Sequence, residues 1–269
     1  MPVPRARALG RALRRSRLSG AILLVLLLLL WEASAQWGWV QSENWPPFSR
    51  VLASFATGVA GGELIEVMWS SLWRMARGYA AGCAAGVALG VTLAMVRPVR
   101  LTLQPLIELI RPIPAPAIIP PLMFLLGADD GLKIFVVAYA AFFPVLINTM
   151  SGVVSVDMVH RQVARTFGYS RLATVWRVVL PASLPAILAG MRISLAFALI
   201  VTVVAELVAG TQGIGYYVVS MQFASRAADM YAAIVLLTAV GYLLNRGFLA
   251  IETRIIHWSR LRETLGAEA

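Results

Sequence analysis

Residues 162–181 read QVARTFGYSRLATVWRVVLP, and the reading of the whole chain turns on them. Polar and basic residues carry a helix to about Phe167. Gly168 then breaks it, because glycine enters the left-handed conformation that ends a helix without steric cost. Ser170 is placed to cap a second helix, and Pro181 with Pro185 separates that helix from the apolar run beyond. The segment is a helix–turn–helix with Phe167 and Tyr169 flanking its turn. Two readings stand for it: a docking knob for a soluble partner, or an amphipathic connector lying on a membrane surface.

Apolar runs flank the segment on both sides. Of 269 residues, 59% are hydrophobic and 13% charged, and the mean hydropathy is +0.78; a soluble domain carries about twice that charge fraction. A helix needs about 20 apolar residues to cross a bilayer core. The fold class expected is therefore all-α integral membrane, with about six transmembrane helices. They fall at about 18–37, 78–96, within 101–126, and at 132–150, 184–208 and 231–249. The second follows an interfacial lead-in from Leu64 that carries Glu66, Arg74 and Arg77. The first precedes Ala33-Ser34-Ala35, which resembles a signal-peptidase site; the reading adopted is a retained span with Trp31, Trp37 and Trp39 near the outer interface. Asn44, Pro46 and Pro47 mark an external loop.

The net charge of +10 invites a nucleic-acid reading, which its placement excludes. Arg5, Arg7, Arg11, Arg14, Arg15 and Arg17 precede the first apolar run. Arg97, Arg100, Arg161, Arg165, Arg171, Arg177, Arg246, Arg254, Arg260 and Arg262 fall in segments assigned to the cytoplasm. The outer side receives Arg50, Arg74, Arg77, Arg226 and Lys133. That bias fits cytoplasmic N- and C-termini, with Arg111 and Arg192 left embedded. No basic patch interleaved with aromatics appears, so nucleic acid is not an expected partner.

Other features carry candidate roles. Pro112, Pro114 and Pro116, followed by Pro120 and Pro121, forbid a regular helix; they read either as a broken helix on a translocation pathway or as an interfacial connector. Gly78, Gly82, Gly86 and Gly90 recur every four residues and line one helical face, for close packing within the subunit or across a homodimer. Glu206 is an intramembrane acid that could line a pathway, pair elsewhere or reach the interface, but Arg192 lies nearly four turns away along the same helix. Asn148 is a weaker pathway candidate. Cys83 reads as a small buried hydrophobe. His160 and His257 have no partners at metal-ligand spacing, and neither a metal nor a catalytic site is expected. The one lysine, Lys133, lies outside any Gly-x-x-x-x-Gly-Lys-Ser/Thr pattern, so this chain does not cradle ATP itself.

The 162–181 segment resembles the cytoplasmic signature loop of binding-protein-dependent ABC permeases, whose pattern is E-A-A, three residues, G, nine residues, I-x-L-P. Gln162, Val163 and Ala164 fall on E-A-A, Gly168 on the glycine, and Val178, Leu180 and Pro181 on I-x-L-P. Gln162 and Val163 depart from the pattern. The stretches at 107–122, 142–153 and 205–218 resemble the nitrate/sulfonate/taurine branch of the same family. The resemblance implies a type I ABC-importer permease in the bacterial cytoplasmic (inner) membrane. The resemblance covers roughly residue 65 to the C-terminus and implies a permease core at 64–255 with the coupling loop at about 155–181. Charge and hydropathy place a basic cytoplasmic tail at 1–17, a first span and external loop at 18–63, and a cytoplasmic tail at 256–269. The resemblance also implies ABC ATPase subunits that bind ATP and Mg and dock on residues 162–170, an extracytoplasmic solute-binding protein and a second copy of the permease. The cargo it implies is a small anion such as a sulfonate, taurine or nitrate. An intramembrane enzyme would need a buried nucleophile–base or metal constellation, which the two peripheral histidines do not supply. An ion-coupled carrier often shows inverted repeats, and none is evident.

Overall fold

The computed structural model describes residues 5–256, with side chains from Ser19 onward. His257, Arg260, Arg262 and most of the expected 256–269 tail lie outside the described residues, as do residues 1–4. The described chain is helical. In order run α1 (Arg5–Gln36), α2 (Phe48–Ala60), α3 (Glu63–Met95), α4 (Arg97–Ile110), a 3-10 turn (Ala115–Ile118), α5 (Ile119–Leu126) and α6 (Asp130–Val154). Then follow α7 (Met158–Thr166), α8 (Arg171–Thr174), a π turn (Val175–Val179), α9 (Leu180–Ala209), α10 (Ile214–Phe223) and α11 (Ala227–Ile255). Five helical stretches among the described residues are long and apolar enough to cross a membrane. A sixth is reached if the bent pair α4 and Ala115–Leu126 counts as one span. Two compact units divide the chain, one comprising Met1–Leu64 and Val218–Val235, the other Ile65–Tyr217 and Leu236–Ala269.

In the first unit, Trp31 is the hub. Its ring lies 5.3 Å from Trp45, 5.4 Å from Phe48 and 5.4 Å from Tyr231, within the range where aromatic pairs attract. Its indole N–H donates to the Pro46 carbonyl at 3.1 Å, and the Trp45 indole donates to Ser34 Oγ at 3.0 Å. Glu32 accepts from the Ser49 backbone N–H and hydroxyl at 2.9 and 2.7 Å. These bonds hold the 37–47 loop against the end of α1. Ser34, in the stretch that resembles a cleavage site, lies inside that helix. The external loop is shorter than the sequence suggested, since 48–60 forms a helix too short to span. Leu23, Leu26 and Leu30 on α1 are more than half exposed, a surface suited to lipid.

The second unit is built around α6. Its glycine-facing side meets α3 four times at one-turn intervals. A Cβ on Gly78 would fall 2.7 Å from the Ile134 carbonyl; on Gly86, 2.9 Å from that of Phe142; and on Gly90, 2.9 Å from that of Leu146. A Cβ on Gly82 would overlap the Ala138 carbonyl. The helices thus approach backbone to backbone along the stripe, within the chain. On another side α6 meets α9 equally closely, where Gly190 faces the Pro144 carbonyl and Asn148 Cβ. Between them lies a core of Met75, Ile119, Leu132, Val136, Val137, Ala198, Val201 and Ala205.

Two expectations are corrected here. The lead-in at 64–77 is no separate segment: α3 is continuous from Glu63, and Ser71, Arg74 and Met75 are buried. Its 33 residues span about 50 Å at about 1.5 Å each, more than a perpendicular crossing needs. The third span breaks at the proline-rich stretch as its prolines require, with a bend of 86°. Pro181 and Pro185 do not separate the second helix of the loop from the fifth span, since Arg171–Ala209 is one 39-residue helical stretch. The π turn explains why. Its wider ring, closed by the Leu180 N–H on the Val175 carbonyl, loosens the turn just where Pro181 lacks a donor and would crowd the helix.

Replacing Gly82 or Gly86 with leucine should force α3 off α6. The expected cost is about 1–3 kcal/mol or more, read as a lower thermal midpoint in detergent. Gly20→Leu, where nothing lies within 4 Å, should leave the midpoint unchanged.

Candidate functional site

The segment between α6 and α9 is a helix–turn–helix. Asp157 caps α7 by accepting the Val159 N–H at 2.9 Å. The helix stops at Thr166, and Gly168 takes φ +75. The Tyr169 N–H then closes on the Ala164 carbonyl at 3.1 Å. Ser170 caps α8, its Oγ accepting the Ala173 N–H at 3.2 Å. Nothing lies within 4 Å of a Cβ built on Gly168, so glycine answers to backbone conformation there and not to crowding.

Burial divides the signature residues in two. Ala164 and Val179 are buried, and Val178 and Leu180 half-buried; they anchor the segment to the span. Gln162, Val163, Phe167, Tyr169 and Pro181 are exposed. Phe167 is 75% exposed, with Met158, Val159, Leu172 and Trp176 also open. An apolar surface of this kind at a helical turn marks a place for a protein or membrane partner. Arg177 lies over the Tyr169 ring at 5.4 Å, bracing the turn.

A second constellation, within the same unit, escaped sequence reasoning. Glu206 has no exposed surface. It receives Arg74 Nη1 at 3.0 Å, the Ser71 hydroxyl at 2.8 Å and the Gly215 N–H at 3.0 Å. Ser71 Oγ in turn accepts the Ile214 N–H at 2.8 Å. Arg74 also bonds Asp130 through Nε, and the buried Lys133 lies 3.6 Å from the same carboxylate oxygen. The buried charges are paired and hydrogen-bonded, the condition under which such groups are tolerated. The glycines of 205–218 follow from this arrangement. Gly213, at φ +108, lies so close to Glu206 that any Cβ would overlap the carboxylate, and a Cβ on Gly215 would fall 2.8 Å from Glu206 Cβ. The spacing of Glu206 to Gly210, Gly213 and Gly215 was the available signal. Arg74, Ser71 and Asp130 carried none, being joined to it only by the fold.

The other candidates fall elsewhere. Pro112, Pro114 and Pro116 line a cavity of about 590 Å³ with Arg111, Tyr139, Phe143 and Phe197. Asn148 sits at the α6–α9 crossing, its amide donating to the Pro144 carbonyl at 2.8 Å. Arg192 pairs with Glu252 at 3.5 Å. Among the described residues no three His, Cys, Asp or Glu side chains are grouped to hold a metal.

Glu206→Ala strands Arg74 and the Gly215 N–H. It should cost about 3 kcal/mol or more, toward the low end of the range for a broken buried pair because Asp130 still holds the guanidinium. The measurement is the thermal midpoint in detergent. The double variant with Arg74→Ala should lose less than the sum of the two.

The sequence profile of the family described as "Binding-protein-dependent transport system inner membrane component" matches residues 86–257. A permease of Bacillus subtilis (strain 168) named SsuC, for aliphatic sulfonates, is 30% identical over 96% of this chain and 95% of its own. The taurine transport system permease protein TauC of Escherichia coli (strain K12) is 32% identical over 87% of each. Among solved structures, a chain of the MetNI methionine ABC transporter in an inward-facing conformation superposes with a TM-score of 0.63 at 19% identity. That match covers 71% of this chain and 95% of that one, a likeness of fold. The chain belongs to the binding-protein-dependent transport family: it is a multi-span inner-membrane permease subunit of an ABC importer, working with a solute-binding protein and with ATP hydrolysis in a separate subunit.

Proposed function

We propose that this permease imports a small organic anion of the sulfonate or taurine type, as a homodimer driven through the 162–170 turn. The observation that carries the coupling role is the exposed Phe167–Gly168–Tyr169 turn on a rigidly capped helix pair. An ATPase groove can grip such a knob, and the helical stretch Arg171–Ala209, unbroken through the π turn, joins the knob to the span. Closure of the ATPase on ATP and Mg would displace α7 and α8, and α9 would carry the movement into the unit. Pro112, Pro114 and Pro116 would line the pathway near the bend of α4. Asn148, at the α6–α9 crossing, would act as a hinge contact. Glu206, being enclosed, would position the 210–215 segment.

The kinship with permeases named for aliphatic sulfonates and taurine supports the cargo class. The arginine bias supports cytoplasmic termini. A tagged chain purified in mild detergent and reconstituted with its ATPase and binding protein should take up ethanesulfonate or taurine only with ATP. Uptake limited to solutes that carry no sulfonate or similar oxyanion group would overturn the cargo class, and uptake without any ATPase would overturn the importer mechanism. Gly168→Val forces a β-branched residue to φ +75, a strain of about 1–3 kcal/mol. It should abolish uptake while membrane insertion, read by protease protection, stays intact. Wild-type uptake in that variant would remove the coupling role from this turn.

A further inference from the structure

The bend between α4 and α5 leaves one cation uncommitted. Arg111 follows the last turn of α4 and is exposed, and no hydrogen bond or ion pair engages its guanidinium among the described residues. Glu108, one turn earlier, is hydrogen-bonded by Gln104 at 2.9 Å. Nor is the guanidinium needed to cap α4. The Ile107 carbonyl accepts the Arg111 N–H at 2.9 Å, and the Ile110 carbonyl accepts both the Ile113 N–H and the Tyr139 hydroxyl at 3.0 Å. An exposed guanidinium with no partner in the chain is free to take an anionic group from outside it.

Its surroundings specify the missing partner. The cavity beside it, about 590 Å³, is lined by Pro112, Ile113, Pro114, Tyr139, Phe143 and Phe197, among other apolar residues. Small-molecule sites commonly have this size and this apolar lining with few polar groups. The prolines have no N–H to offer, and the Ile113 and Ala117 N–H groups are already spent on Ile110 and Pro114 carbonyls. Among the residues lining the cavity Arg111 alone is charged, and its planar fork suits an oxyanion with two acceptor oxygens.

We infer that Arg111 and the cavity beside it form a transient site for the cargo, in which the guanidinium pairs with a sulfonate-type head and Phe143 and Phe197 receive its apolar tail. The permease then contributes charge selection of its own, after delivery by the binding protein. The inference rests on the organic-anion reading above and adds the residue that would carry it.

The test is ethanesulfonate uptake by the reconstituted complex carrying Arg111→Gln or Arg111→Lys. Both should assemble with the ATPase in the wild-type ratio. Losing a charge-assisted contact should lower uptake in Arg111→Gln by about tenfold or more, with a large part restored in Arg111→Lys. Wild-type uptake in Arg111→Gln would overturn the site. Equal loss in both variants would also overturn it, since charge would not be what matters. A wild-type complex that moves no organic anion at all would instead overturn the cargo class, whatever the variants do.

Discussion

The contact on which the rest of the second unit depends is the backbone approach of α3 to α6. Four glycines at four-residue spacing bring the two helices so near that each missing Cβ is replaced by a carbonyl or side chain of α6. In a membrane no hydrophobic drive pushes helices together, so close packing and weak Cα–H contacts must do it. With its other side against α9, α6 becomes the shared wall of the unit. The α7–α8 turn projects from one end of this frame, and Asp130 and Lys133 begin the other.

At that other end the frame is locked by charge. Arg74 from α3 and Glu206 from α9 meet in a fully buried pair, and the Ile214 and Gly215 N–H groups join through Ser71 and Glu206. Apolar packing alone would let 210–215 settle in several ways. A carboxylate with three donors around it fixes one of them, at the cost of excluding every side chain from 213 and 215. The turn at one end and the lock at the other differ in kind. The turn is apolar and open, whereas the lock is polar and closed.

Much of this was legible in the sequence because it was local. The glycine period, the break at Gly168, the Ser170 cap and the spacing to Val178, Leu180 and Pro181 are short-range patterns with direct structural consequences. What was not legible depended on distance along the chain. Arg74 looked interfacial because its partner Glu206 lies 132 residues away, and only the fold supplies the counter-charge that buries it. Pro181 looked like a break because a π turn that relieves a proline leaves no mark in composition. The helix at 48–60 is too short and too mixed to stand out from a loop with Pro46 and Pro47 ahead of it. Arg111 was visible as an embedded charge, but not the apolar cavity against which it sits.

In the coupling proposed above, ATP-driven motion enters this chain at the 162–170 turn. That point of entry is tested most directly by placing a single cysteine at Phe167, in a Cys83→Ser background, and cross-linking the assembled importer with and without ATP. A cross-link from position 167 to the ATPase subunit is expected. A complex that transports actively yet never cross-links at 167, while cysteines on other exposed segments do, would contradict it.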